Sequence, residues 1–153
     1  MDCARRLAAR PLCLIHGDFS PKNVLTGPPG QLWVVDFEVA CWGDPAFDLA
    51  FFMTHLLLKS IHRPSSAADY DAALADFCAA YQGAVVRELS PDWSYVIEQT
   101  ACLVIARVIG KSPAEYLTSA QQGRALAFGK ALLSARPAEL DGMLAVRGAL
   151  GDE

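Results

Sequence analysis

Hydrophobic residues fall into two regimes along the chain. As far as residue 45 they come in short runs broken by turn-forming residues, and after it they recur at helical spacing. The run Leu12-Cys13-Leu14-Ile15 predicts a short buried strand. Residues 23–26 and 31–36 predict a hairpin, because Gly27-Pro28-Pro29-Gly30 between them is strong turn chemistry. Residues 1–10 read as the tail of a helix, and residues 37–45 as a loop ending in Gly43-Asp44-Pro45, with Pro45 placed to open a helix. The almost wholly apolar stretch from Ala46 to about Ser60 predicts a central helix. Ser66 with Asp69 resembles a capping box for a second helix to about Leu89, whose Tyr70, Leu74, Phe77, Cys78 and Tyr81 share one face. Ser90-Pro91 opens a third, ending near Gly110. Ser112-Pro113-Ala114-Glu115 gives a cleaner capping box for a fourth, to about Ala135, and a short helix follows Pro137. The expected fold class is α+β, mainly helical: a β-hairpin region followed by four or five helices, in a single domain over residues 1–153.

Composition narrows the function. With 53% hydrophobic and 20% charged residues the chain has a core of its own and is not disordered. A net charge of −4 and the lack of a Lys/Arg cluster exclude a nucleic-acid footprint, and favour a cationic or neutral small substrate slightly over a polyanion. The five cysteines are scattered and never form a C-x-x-C pair, so they read as small apolar residues of a reducing compartment. Arg5 and Arg6 before apolar residues imitate an export signal, but Arg10 and Pro11 interrupt the run; no stretch has the length of a membrane span. The expected location is cytoplasmic.

The chemistry concentrates at the ends of the early apolar runs. The first breaks into a loop carrying His16, Asp18 and Asn23, and the second ends on Asp36. An ionised carboxylate in such a loop can take a proton from a substrate hydroxyl. An Asn amide oxygen and an Asp carboxylate are a minimal pair of hard donors for magnesium. Phosphoryl transfer needs this combination, since its catalysis is mainly positioning and charge neutralisation.

His16-Gly17-Asp18, four residues, then Asn23, resembles the catalytic loop of the aminoglycoside phosphotransferase and choline kinase superfamily, related to the His-Arg-Asp…Asn loop of protein kinases. Asp36 falls where these families place a second metal-binding aspartate. Gly43-Asp44-Pro45 with Phe47-Asp48-Leu49 resembles their Gly-x-Pro…Asp-Leu segment. The similarity is densest over residues 14–52. It implies the C-terminal lobe of a protein-kinase-like fold, with the catalytic loop and metal-binding hairpin over 12–48 and the helical part over 46–148. It further implies an ATP-dependent, magnesium-requiring transfer of the γ-phosphate to a small-molecule hydroxyl. Asp18 would be the base, Asn23 and Asp36 the magnesium ligands, His16 a structural member of the catalytic motif and Asp48 a buried brace on loop backbone groups. Ser20 stands where protein kinases carry a phosphate-contacting lysine; it is a candidate nucleotide contact and a departure from that pattern.

Other residues divide between roles. Glu38, where protein kinases have glycine, is either a further ligand or a solvated loop carboxylate, and Lys22 is either near phosphate or simply exposed. Trp42 either floors a pocket or packs. Arg107, Lys111 and Glu115 are candidates for a substrate cleft. Gly110-Lys111-Ser112 imitates the end of a Walker A loop, but Ile105 stands where its first glycine is required. His55, on an apolar helix, reads as a packed histidine.

The resemblance also implies an N-terminal lobe with a strand lysine, a phosphate-covering loop and an adenine hinge, and nothing before Leu12 supplies these. Two hypotheses follow: a small-molecule kinase whose chain is a fragment or half of a split enzyme, completed by the missing lobe or a dimer partner; or a non-catalytic remnant lobe acting as a binding or interaction module. A metallophosphoesterase would want more His and Asn ligands than His55 and His62 offer.

Overall fold

The computed structural model describes residues 3–150. Helix α1 spans Cys3–Ala8 and is followed by strand β1, Cys13–Ile15. A 3-10 turn at Pro21–Asn23 leads into β2, Val24–Thr26, which pairs antiparallel with β3, Leu32–Val34. Strand β4, Cys41–Gly43, then returns to pair antiparallel with β1, matching Ile15 to Cys41 and Cys13 to Gly43. The remainder is helical: α2 Ala46–His62, α3 Ala67–Ala84, α4 Trp93–Ile109, α5 Ser119–Ala135 and α6 Leu140–Gly148. The fold is α+β and mainly helical.

The apolar run of α2 explains its central place. Leu49, Ala50, Met53, Leu57 and Leu58 are all buried, and α3, α4 and α5 each pack against this helix. Burial of each of the leucine and methionine side chains contributes about 1.5–3 kcal/mol. Polar groups inside the core are satisfied locally: the Thr54 hydroxyl donates to the Ala50 carbonyl at 2.7 Å, and the Thr100 hydroxyl donates to that of Val96 at 2.9 Å. Arg147 of α6 ties two other helices together, donating to the Ser60 hydroxyl at 2.8 Å and pairing with Asp71.

Four boundaries differ from the sequence expectation. Strand β4 lies in the segment expected to be a loop; three residues ending in glycine show no alternation, and only the pairing with β1 defines them. The capping box at Ser112 does not form. The Ser112 hydroxyl accepts from Arg107, the Ala114 N–H bonds the Arg107 carbonyl, and Ala114 and Leu117 are buried, so the chain folds back over the end of α4. Helix α5 starts six residues later on the reciprocal Thr118–Gln121 box, where Gln121 also donates to the His62 carbonyl at 3.1 Å. Helix α3 ends at Ala84 before a 3-10 turn at Arg87–Leu89, without a side-chain cap from Ser66; helix α4 starts at Trp93, capped by Asp92 rather than opened by Ser90-Pro91.

Candidate active site

The loop between β1 and β2 is held from the first turn of α2. Both carboxylate oxygens of Asp48 accept backbone bonds, from the His16 N–H at 2.7 Å and the Gly17 N–H at 2.9 Å. Asp48 itself is half-buried, not enclosed. Gly17 has φ +79°, and a Cβ there would stand 2.7 Å from the Val39 carbonyl oxygen, so the turn admits glycine alone without strain. His16 is buried between Val35 and the loop. Its Nε2 lies 2.9 Å from the Val35 carbonyl, which can only accept, and its Nδ1 accepts from the Asp18 N–H at 3.3 Å. These partners select the tautomer with its proton on Nε2. Phe19 drives the other side of the loop into the helices, stacking on Phe52 at 5.1 Å while Phe52 stacks on Phe77 at 4.3 Å.

This scaffold presents Asp18. The Asn23 side-chain N–H group donates to the Asp18 carbonyl at 2.9 Å and to its Oδ2 at 3.0 Å, and Lys22 Nζ stands 2.9 Å from the same Oδ2. Partial burial opposes ionisation of Asp18. The hydrogen bonds from Lys22 and Asn23, with the charges of Lys22 and His55, outweigh it and hold the carboxyl below its ordinary value. Asp18 is therefore an ionised carboxylate at neutral pH.

Asn23 and Asp36 occupy the open end of one hairpin. Asn23 is buried on the 3-10 turn, its carbonyl accepts from the Val35 N–H at 3.0 Å, and Asp36 follows directly at φ 73°. Because Asn23 spends its amide N–H group on Asp18, its Oδ1 faces no protein donor among the described residues. Asp36 is exposed. An amide oxygen and a solvent-facing carboxylate are the hard donors magnesium takes, with water and phosphate oxygens completing its octahedron. That donor set fits a magnesium ion. Asp44, from the Gly43-Asp44-Pro45 segment, is buried at the start of α2, accepting from the Ala46 N–H at 3.0 Å and forming an ion pair with Arg10 at 3.2 Å that lacks hydrogen-bond alignment.

Two hollows flank the loop. One, of about 560 Å³, is apolar and reached by His16, Phe19, Phe37 and Phe77. The other, of about 880 Å³, lies between the C-terminal parts of α2 and α4, and Asp18 opens into it together with Arg107 and Lys111. Glu38, Trp42 and Glu115 do not line that cleft. Glu38 sits exposed on the turn before β4, and Trp42 is 66% exposed with its indole N–H donating to the Pro11 carbonyl. Ser20 is fully buried and its hydroxyl has no hydrogen-bond partner among the described residues. Cleft residues not singled out for it from sequence include Lys22, His55, Lys59, Arg63 and Tyr116. His55 does pack, with its ring 4.9 Å from that of Phe51, but it also faces the cleft. Burial first, then the Arg107 charge, depress its pKa to about 4, so it is neutral at neutral pH.

A family model for the phosphotransferase enzyme family, abbreviated APH, matches residues 2–91, from α1 through the whole loop, both hairpins, α2 and α3. The chain belongs to this family. The phosphotransferase enzyme family is part of the aminoglycoside phosphotransferase and protein-kinase-like superfamily, and a phosphotransferase-type function in general follows. No match was found among curated proteins. Among the described residues, no helix of this family member is long and apolar enough to cross a membrane.

Proposed function

We propose that the chain carries the metal-side and acceptor-side machinery of an ATP-dependent phosphotransferase acting on a small-molecule hydroxyl. The observation that carries this reading is the Asp18 carboxylate, held ionised by Lys22 and Asn23 where the cleft meets the open end of the β2–β3 hairpin. Asp18 accepts a hydrogen bond from the acceptor hydroxyl and orients its oxygen. That oxygen forms the new bond to the γ-phosphorus as the bond to the β–γ bridging oxygen breaks, and the electron pair leaves on ADP. The hydroxyl proton passes to Asp18. A depressed pKa makes Asp18 a weak base, which suits a loose transition state in which the proton becomes acidic only late. Asn23 Oδ1 and Asp36 would hold magnesium, whose chemistry is neutralisation of charge on the phosphate oxygens. His16 and Asp48 act as positioning residues, fixing the backbone from which Asp18 projects.

The nucleotide needs a partner surface. Leu14 on β1 and Leu32 on β3, both 68% exposed, and Phe37 in the loop after β3, 58% exposed, leave apolar side chains uncovered in the strand region. We infer that a further lobe or subunit carrying the adenine and α/β-phosphate contacts seats there. The same exposed side chains favour a second reading, a non-catalytic lobe that binds a partner. Magnesium-dependent turnover of ATP over a panel of hydroxylated compounds separates the two, run with this chain alone and with an added N-terminal lobe. The expected outcome is a phosphorylated product in one setting, lost in Asp18→Asn. No transfer in either setting would leave the binding-module reading standing.

A further inference from the structure

The cleft beyond Asp18 has a charge opposite to that of the molecule. The chain carries a net −4, yet Lys22, Lys59, Arg63, Arg107 and Lys111 line this one hollow, and among the described residues Asp18 is its sole carboxylate. Basic residues in the last turn of a helix are ordinarily explained by the helix dipole, which accounts for Lys59 and Arg107. It reaches Arg63 too, the C-cap residue of α2, and Lys111, next to the Gly110 cap of α4; it does not account for Lys22, which comes from the catalytic loop, nor for both helix ends opening on one hollow.

Their pairing is incomplete. Lys22 is held by Asp18, and Lys59 rests its ammonium 4.0 Å from the centre of the Tyr116 ring. Arg107 spends Nη1 on the Ser112 hydroxyl at 3.0 Å, while its Nε is buried without a hydrogen-bond partner, and so is the Tyr116 hydroxyl. Burying guanidinium and phenol donors without an acceptor is costly. A guanidinium fork suits the planar or tetrahedral oxygens of carboxylate or phosphate. Burial is the main reason His55 stays neutral; the charges of Arg107, Lys22 and Lys59 act in the same direction and Asp18 opposes them. Neither Asn23 nor Asp36 lines the hollow, so it lies on the acceptor side of Asp18 and not on the metal side.

We propose that the acceptor is an anionic hydroxyl compound, its phosphate or carboxylate held by Arg107 and Lys111 while its hydroxyl faces Asp18. The assignment rests on the phosphotransferase reading for the word acceptor, but not for the binding of the anion. A cationic acceptor would meet five like charges against one carboxylate.

Binding to the full chain tests this without requiring turnover. Calorimetric or NMR titrations would use glycerol 3-phosphate, glycerate, neutral glycerol and cationic choline. The expected result is at least about tenfold tighter binding of one or both anions than of glycerol and choline, weakened by salt. The phosphate and carboxylate arms decide which anion the cleft takes. Arg107→Ala should lose that preference. Because Arg107 is half-buried, the exposed Lys111→Ala serves as a second variant and should weaken the anion severalfold while melting like the parent. Equal binding of all four probes, or preference for choline, would overturn the proposal, as would displacement of the anion by ATP in simple competition. Anion binding with no phosphoryl transfer would uphold the anion site and sink the phosphotransferase reading. Transfer to neutral or cationic acceptors without anion preference would do the reverse.

Discussion

The two hollows on either side of the catalytic loop are built from neighbouring residues and differ in almost every physical respect. His16 and Phe19 face an apolar cavity closed by aromatic rings, where burial raises the pKa of Tyr81 and Cys13 and keeps both uncharged. Asp18, Pro21 and Lys22 face a cleft crowded with cations. One side of the loop is anchored by burial of apolar surface, and the other is left polar and open. A loop that must hold a carboxylate steady in water needs both: packed rings and the Asp48 carboxylate anchor it on one side, and Asp18 is displayed on the other.

The comparison breaks most visibly at the two aspartates. Asp18→Asn should lower phosphoryl transfer by about 10²–10⁴-fold, as loss of a positioned base does, while moving the unfolding free energy by no more than about 1 kcal/mol. Steady-state turnover and urea denaturation measure the two. Asp48→Ala should do the opposite in the second assay, losing about 3 kcal/mol because two backbone N–H groups lose a charged acceptor. If both variants unfolded at the parent's urea midpoint, the division between anchoring and display would be wrong.

Acid should sharpen it next. His55 has a folded pKa near 4 against an ordinary 6.5, so the unfolded chain binds its proton first. Its contribution is complete above pH 6.5 and is lost as pH falls toward 4, on the order of 2 kcal/mol after solvent screening. His55→Gln should flatten the stability profile in that window; an unchanged slope would assign the loss to other groups. The smallest effect is expected in the strand region. Leu32→Ser should change stability by less than about 0.5 kcal/mol, since the side chain is largely in solvent, yet weaken association with an added N-terminal lobe in sedimentation experiments.

The sequence made the loop legible as a whole but reached the cleft only through Arg107 and Lys111, for one reason. Asp18, Asn23 and Asp36 belong to a contiguous stretch whose spacing is itself the signal. Lys59 and Arg63 leave the end of α2, Arg107 and Lys111 the end of α4, and Lys22 a different element. No linear pattern joins them; packing of α2 against α4 does. The net charge does not describe the cleft, because it averages over the whole chain while the cleft gathers five basic residues in one place. The misplaced start of α5 has a similar cause. Ser112 and Thr118 both offer a capping pattern, and the buried Ala114 and Leu117 between them decide which is used.

The bonds from Asp48 to the loop have a kinetic meaning as well. The His16 and Gly17 amides are fastened to a helix whose next turns, Leu49, Ala50 and Met53, are closed in the core. Opening the loop means releasing the first turn of that helix, so the loop inherits the lifetime of the fold. It is the stationary member of the site. Whatever motion a catalytic cycle demands falls to the groups that approach it.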